Sequence, residues 1–168
     1  MIGKDAFSYV YHILEVNGYL KNLSLKNKAI KTNKILFFAE LYHRYFFKEP
    51  MITDLKFKAL PNGPAIDKDE IDWYDVEENY NFLTDEEKET IKMCIKEWLC
   101  EMSPEALSEL SHGDKKRIPL MAWKSVKEQG DYRSIPIPDS YLNADAEILH
   151  NTTKHQYKNR IKIEAQTV

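Results

Sequence analysis

The sequence predicts a mainly α fold, a compact helical domain around a central apolar helix with a short β element before a Gly-Pro turn. Apolar side chains recur at three- and four-residue steps through much of the chain, which is the spacing of one helix face. Within the segment from Met51 to Leu60, the apolar residues Leu55, Phe57 and Ala59 (or Leu60) instead alternate with Lys56 and Lys58 at a period near two, which predicts a short strand. The residues Pro61-Asn62-Gly63-Pro64 then force a turn.

The first half of the chain predicts two helices. Phe7, Val10, Tyr11 and Leu14 share one face of a helix from about Lys4 to Val16, and Asn17-Gly18 is a suitable stop.

Ser24 can cap a second helix, which we expect to run from about Leu25 to Phe47, before Pro50. This segment carries apolar side chains on most of its circumference. It is therefore the expected central helix, packed on most sides.

The acidic segment after the turn predicts a short helix around Lys68 to Val76. Thr84 and Glu87 then form a capping-box pattern, which begins a helix reaching about Met102. Its apolar stripe consists of Ile91, Ile95, Trp98, Leu99 and Met102. Ser103-Pro104 restarts a helix with proline at its first position.

The last third of the chain predicts less regular structure. A brief helix is expected near Leu120 to Lys127, and Ile135-Pro136-Ile137-Pro138 should lie extended because proline excludes helix from its interior. Asp139 or Ser140 can cap one more helix, to about Leu149. We expect one domain over residues 1–150 and a polar, basic tail over residues 151–168 that orders only on binding.

Several functional classes are disfavoured by composition. No leader-like N-terminus and no apolar run near the roughly 20 residues needed to cross a bilayer is present, so we expect a cytoplasmic protein without membrane contact. Cys94 and Cys100 are six positions apart on one expected helix, which predicts two reduced, buried thiols. The sequence makes no prediction of oligomeric state.

Charge is distributed unevenly along the chain, although the net charge is only -3. Residues 21–34 contain five lysines and no acid, whereas acids dominate residues 67–89, where Lys68 and Lys88 are the only bases. Such blocks usually form solvated faces, and they can also steer a charged partner. The lysines leave a nucleic-acid-binding regulator as an alternative function, although an isoelectric point near 6.0 is low for a dedicated binder.

Sequence motifs for catalysis, cofactors or metal are lacking. There is no G-x-S-x-G elbow, no P-loop and no G-x-G-x-x-G, and the histidines lack the i,i+4 spacing of a zinc site. We therefore expect no enzyme activity, no cofactor and no metal. His112 differs from the other histidines because it ends a helix before the flexible Gly113-Asp114, where it either makes local hydrogen bonds or meets a partner.

Four motifs follow one another along the chain: KTNKILFFA from Lys31 to Ala39, the turn Gly63-Pro64-Ala65, LTDEE from Leu83 to Glu87, and SPEALSELSH from Ser103 to His112. In this order they resemble the Panacea domain family, the SocA-like antitoxin domain found in phage-associated proteins. Trp123 matches a tryptophan usual in that family. The chain departs from the pattern where Leu60-Pro61-Asn62 replaces an aromatic residue, and where the segment from Gly113 to Leu120 is long.

The resemblance implies a type II antitoxin that binds a protein partner and neutralises a co-encoded toxin by direct contact. One branch of the family delivers its toxin to a cytoplasmic protease as an adaptor. A phage-encoded inhibitor of a host protein is a further alternative. The candidate partner-binding residues are the helix and loop aromatics and the region around the helix-end histidine: Tyr42, Tyr45, Trp73, Tyr74, His112 and Trp123.

Overall fold

The computed structural model describes residues 2–76, 78, 80–97, 99–129 and 135–167, and only the backbone of residues 97, 99 and 154–167. These residues form a mainly α fold, as predicted. In chain order the elements are α1 (Ile2–Val16), α2 (Leu25–Phe47), β1 (Lys58–Leu60), β2 (Gly63–Ala65), α3 (Asp85–Glu97), a 3-10 turn (Leu99–Glu101), α4 (Pro104–His112), α5 (Ala122–Lys127) and α6 (Asp139–Thr167).

Helix α2 is the centre of the fold and has the predicted bounds. The Ser24 hydroxyl accepts a hydrogen bond from the Asn27 amide at 3.2 Å, and Lys48 closes the helix in the left-handed conformation at φ 59°. Every residue from Lys31 to Arg44 is buried. Helices α1, α3, α4 and α6 pack around it. A helix surrounded in this way needs apolar side chains on most of its circumference, and the sequence supplies them.

Two charged residues of α2 tie other segments to it. The buried Glu40 carboxylate accepts hydrogen bonds from the amides of Met51 at 2.8 Å and Ile52 at 3.0 Å, which turns the chain back after the helix. The Arg44 guanidinium donates to Asp139 at 2.9 Å and thereby anchors the start of α6. Both contacts satisfy buried charges with groups distant in sequence.

The β element is a hairpin rather than the single strand predicted. Strand β1 pairs antiparallel with β2, with Leu60 opposite Gly63, so Pro61 and Asn62 form a two-residue turn. The short strand predicted from the alternation that begins at Leu55 covers three residues, Lys58–Leu60. The extended segment near Pro136 lies beside β1, and the Ile137 amide donates to the Phe57 carbonyl at 2.8 Å.

The prediction of a helix over Lys68 to Val76 is wrong, because this segment forms turns. The Asp67 carboxylate accepts from the Asp69 amide at 3.3 Å, and the Asp72 carboxylate accepts from the Tyr74 amide at 2.9 Å. Short acidic side chains that bind nearby amides in this way compete with helix formation. These local hydrogen bonds therefore outweigh the helical spacing of the apolar residues in this segment.

The predicted capping box at the start of α3 is confirmed. The Thr84 hydroxyl accepts from the Glu87 amide at 3.1 Å, and the Glu87 carboxylate accepts from the Thr84 amide at 2.9 Å. The helix ends at Glu97 instead of Met102, and a 3-10 turn follows. Trp98, which was assigned to the apolar stripe, lies outside the described residues.

Helix α4 begins where its serine cap predicts. The Ser103 hydroxyl accepts from the Ala106 amide at 3.1 Å, with Pro104 in the first turn of α4. Helix α5 lies inside the predicted segment, and α6 begins at Asp139 but continues beyond Leu149 to Thr167. Within the described part of the chain, no helix has both the length and the apolar character needed to cross a membrane.

Candidate functional site

The hairpin turn is pressed closely against the end of α4. Gly63 has φ +113°, and a Cβ atom there would lie 2.7 Å from Ser111 Oγ and 3.0 Å from His112 Nε2. A glycine is required here on two grounds, since a side chain would be strained in the backbone conformation and would collide with α4. The Gly-Pro turn and the helix-end histidine are therefore parts of one site.

His112 forms a stack with Trp123 of α5. The ring centroids are 3.9 Å apart and the planes differ by 9°. The Trp123 indole also donates a hydrogen bond to the Leu60 carbonyl at 2.7 Å, which fixes it to β1. Burial lowers the pKa of His112, and the positive charges of Lys34 and Lys124 lower it further. At neutral pH this histidine is accordingly an uncharged aromatic platform.

Lys34 holds the other side of the turn from α2. Its side chain is 2% exposed, and its Nζ donates to the Pro64 carbonyl at 2.9 Å. Burial lowers the pKa of Lys34 from 10.5 to about 7. Lys34, Ser111, His112 and Trp123 thus surround the hairpin, and we call this group the hairpin cradle.

A cavity of about 640 Å³, the lysine cavity, opens beside the cradle. Its buried floor includes Asn33 and Lys34, and the Trp73 indole forms one wall. The Asn33 side chain accepts a hydrogen bond from the Ile66 backbone N–H through Oδ1 and donates one to the Ile66 carbonyl through Nδ2, each at 3.0 Å. Trp73 Nε1 donates to the same carbonyl at 3.0 Å, so these walls are fixed by satisfied hydrogen bonds.

A second concavity lies between the end of α2 and α3, over residues 85–93 of the latter. This phenylalanine groove, of about 580 Å³, is lined by Phe46, Phe47, Asp85, Glu86, Glu89, Thr90 and Met93. Phe46 and Phe47 are each 40% exposed. Acidic side chains therefore border an exposed aromatic surface, a combination that solvation alone does not favour.

The structure separates the predicted partner-binding residues. It brings His112 and Trp123 together and places Trp73 on the lysine cavity. Tyr74 is 56% exposed, whereas Tyr45 is half-buried and stacks on His150 at 3.7 Å.

The prediction of Tyr42 as a partner-binding residue is corrected, because Tyr42 is 4% exposed and its hydroxyl lies 3.3 Å from that of Thr153 on α6. A side chain buried against α6 cannot anchor a partner at the surface.

The lysine run is less accessible than its sequence suggests. Lys31 is buried and donates to the Tyr19 carbonyl at 3.0 Å, and Lys34 is buried in the cradle. Lys21 and Lys26 are exposed and Lys28 is half-buried. Only part of the run can therefore approach a nucleic-acid backbone, which weakens the alternative of a nucleic-acid-binding regulator.

Sequence reasoning missed two functional features. Lys34 was grouped with solvated lysines, although its place within an apolar helix was a signal of burial. The sequence predicted that the apolar side chains of α2 pack inward on most sides, yet Phe46 and Phe47 extend past the last buried turn. Among the residues that the structure describes, no group of three or more His, Cys, Asp or Glu side chains is placed to hold a metal ion.

Comparisons with known proteins found no relative of this chain. No protein-family model, no curated protein and no solved structure matches the chain.

Proposed function

We propose that this protein is an antitoxin-like binding module of the cytoplasm, which neutralises a partner protein by direct contact at the phenylalanine groove. The observation that carries the proposal is the exposure of Phe46 and Phe47 beside a row of acids on α3. Exposed aromatic side chains in a concave surface are typical energetic anchors of protein interfaces. The resemblance of the four sequence motifs to the Panacea domain family supports the choice of an antitoxin.

The groove is ordered before any partner binds. The Phe47 ring lies 4.7 Å from the His43 ring, and the Phe46 ring lies 5.5 Å from the Tyr45 ring. Side chains already held by neighbours lose little conformational freedom on association. These contacts support a groove that receives an apolar side chain without rearrangement.

The charge of the groove defines the partner's chemistry. Asp85, Glu86 and Glu89 follow one side of α3 and add negative charge along the aromatic surface. A segment with an apolar side chain flanked by lysines or arginines would complement both features. We therefore expect a cationic, amphipathic surface on the partner, with binding that weakens as salt concentration rises.

Co-expression with the product of the adjacent gene, followed by pull-down and growth rescue, tests the proposal. The key variant is Phe47→Ser, and Phe82→Ser is its matched control because Phe82 is 62% exposed and does not line the groove. Loss of one aromatic anchor should weaken binding by about 2 kcal/mol, roughly 30-fold, and abolish rescue. The control should bind within about twofold of the unaltered protein.

Two outcomes would count against the proposal in different ways. A harmless neighbour that forms no complex would remove the antitoxin function. A complex that survives Phe47→Ser and is lost with Phe82→Ser would keep the function but reject the groove as its site. Glu86→Lys should slow association and reduce its salt dependence, whereas Glu128→Lys, an exposed change outside the groove, should do neither.

A further inference from the structure

The lysine cavity contains a buried amine with spare hydrogen-bonding capacity. Lys34 Nζ donates to Pro64 at 2.9 Å, whereas an ammonium group carries three N–H donors. Among the described residues it forms no ion pair with a carboxylate. A buried amine without a carboxylate partner is costly to charge, and its position on the floor of a cavity is a reason to look for an acidic ligand.

The polar side chains beside Lys34 in the interior of the cavity are already engaged, and Lys68 and Asp69 lie at its exposed edge. The side chains of Asn33 and Trp73 form hydrogen bonds with the backbone of Ile66. Lys58 pairs with Glu70 at 3.4 Å. These bonds leave Lys34 as the interior group that can bind a polar ligand, while the Trp73 ring supplies a flat apolar wall.

We propose that the lysine cavity binds a small organic monocarboxylate with a flat apolar body. Its carboxylate accepts hydrogen bonds from Lys34 Nζ, and its body lies against the Trp73 indole. The volume of about 640 Å³ is within the range of small-molecule sites, which are typically about 300–1,000 Å³. This site shares no lining residue with the phenylalanine groove, so it is independent of the proposed partner surface.

The charge balance selects a monoanion over a phosphate. Asp67, Asp69 and the exposed Lys68 also line the cavity, and the Lys58–Glu70 pair adds no net charge. One interior cation matches one carboxylate, whereas a dianion would bring a second negative charge toward two aspartates. Burial lowers the pKa of Lys34 to about 7, and a bound carboxylate would favour its charged form again.

The test uses NMR of the full chain, with the Trp73 indole N–H signal assigned through Trp73→Phe. The probes are two acids and their neutral amides: phenylacetate with phenylacetamide, and indole-3-acetate with indole-3-acetamide. We expect at least one acid to shift the Trp73 signal saturably below about 10 mM and to bind about tenfold or more tightly than its amide. Lys34→Met should remove this preference for the acid, while Lys68→Met, which changes an exposed lysine of the same cavity, should alter affinity less than about twofold.

Three results would overturn the proposal: no saturable shift with either acid, equal affinity for acid and amide, or an unchanged preference in Lys34→Met. The comparison of acid with amide needs no substitution, so it decides the matter even where Lys34→Met fails to fold. Ile30→Trp provides a second variant, since it fills the wall while retaining Lys34 and should weaken binding of the acids.

Discussion

The ammonium nitrogen of Lys34 lies 2.9 Å from the carbonyl oxygen of Pro64, so the central helix holds the turn of the hairpin directly. Trp123 binds the first strand through Leu60, and the end of α4 packs against Gly63. The hairpin is therefore fixed by three separate helices, and each attachment can be tested by substitution.

Gly63→Ala should be among the most destabilising single changes in the hairpin. The alanine would be strained at a φ of +113°, and its Cβ would lie 2.7 Å from Ser111 Oγ. The backbone strain and the collision together should cost about 2–4 kcal/mol. Gly18→Ala is the matched control, because φ is +79° but the nearest atom is 4.0 Å away, so about 1–2 kcal/mol is expected. Urea unfolding measures both, and equal losses would contradict the close packing of Gly63 on α4.

Lys34 should make stability rise with pH above neutrality. Its pKa is about 7 in the folded protein and 10.5 in the unfolded chain, so the unfolded chain binds more protons between these values. Stability therefore increases through that window, and the penalty is complete below pH 7. Lys34→Met should remove a pH-dependent contribution of roughly 3–5 kcal/mol, measured as the difference between the two proteins in urea from pH 6.5 to 10.

Lys21→Met is the control for that experiment, because Lys21 is exposed and should leave the pH profile unaltered. His112 does not confuse the comparison, since its pKa is lowered from 6.5 and it titrates below the window. Parallel profiles for the unaltered protein and Lys34→Met would show that the buried amine does not titrate as described.

Trp123→Phe should separate the stack on His112 from the hydrogen bond to Leu60. Phenylalanine keeps an aromatic ring but loses the indole donor, which lies 2.7 Å from the Leu60 carbonyl. Leaving that carbonyl without its donor should cost about 1–2 kcal/mol in chemical denaturation. Tyr74→Phe, at a position 56% exposed, should change stability by less than about 0.5 kcal/mol, and a similar effect of the two would refute a structural role for the bond.

Glu40→Gln should loosen the chain that follows α2. One carboxylate oxygen would become an amide donor facing the Met51 or Ile52 amide, and Arg44, 3.6 Å away, would keep Asp139 but lose the charge of Glu40. A loss of about 2–4 kcal/mol in thermal or urea unfolding is expected. Glu89→Gln removes an exposed charge from α3 and should have little effect; comparable losses would argue against Glu40 as an internal tie.

Local chemistry accounts for what the sequence predicted well. Serine caps, the reciprocal Thr84–Glu87 bonds and the apolar spacing act within one turn of helix, and they placed α2 and the start of α3 correctly. The errors are of two kinds. The turns at residues 68–76 reflect competing side-chain hydrogen bonds that periodicity does not register.

The second kind of error depends on partners remote in the chain. Lys31 and Lys34 are buried because the carbonyl groups of Tyr19 and Pro64 receive them, and Tyr42 is buried because α6 covers it. No local pattern shows which carbonyl or helix will arrive there. For the same reason, sequence motifs predicted His112 and Trp123 as candidates but did not predict that they stack.

The shortness of the hairpin has a consequence for the order of folding. Two strands of three residues cannot persist alone in water, and the groups that hold them come from α2, α4 and α5. Leu60 and Trp123 are far apart in the chain, so loop-closure entropy must be overcome before their bond forms. The hairpin should consequently acquire hydrogen-exchange protection late, when the surrounding helices have assembled, and its amides would report completion of the native structure.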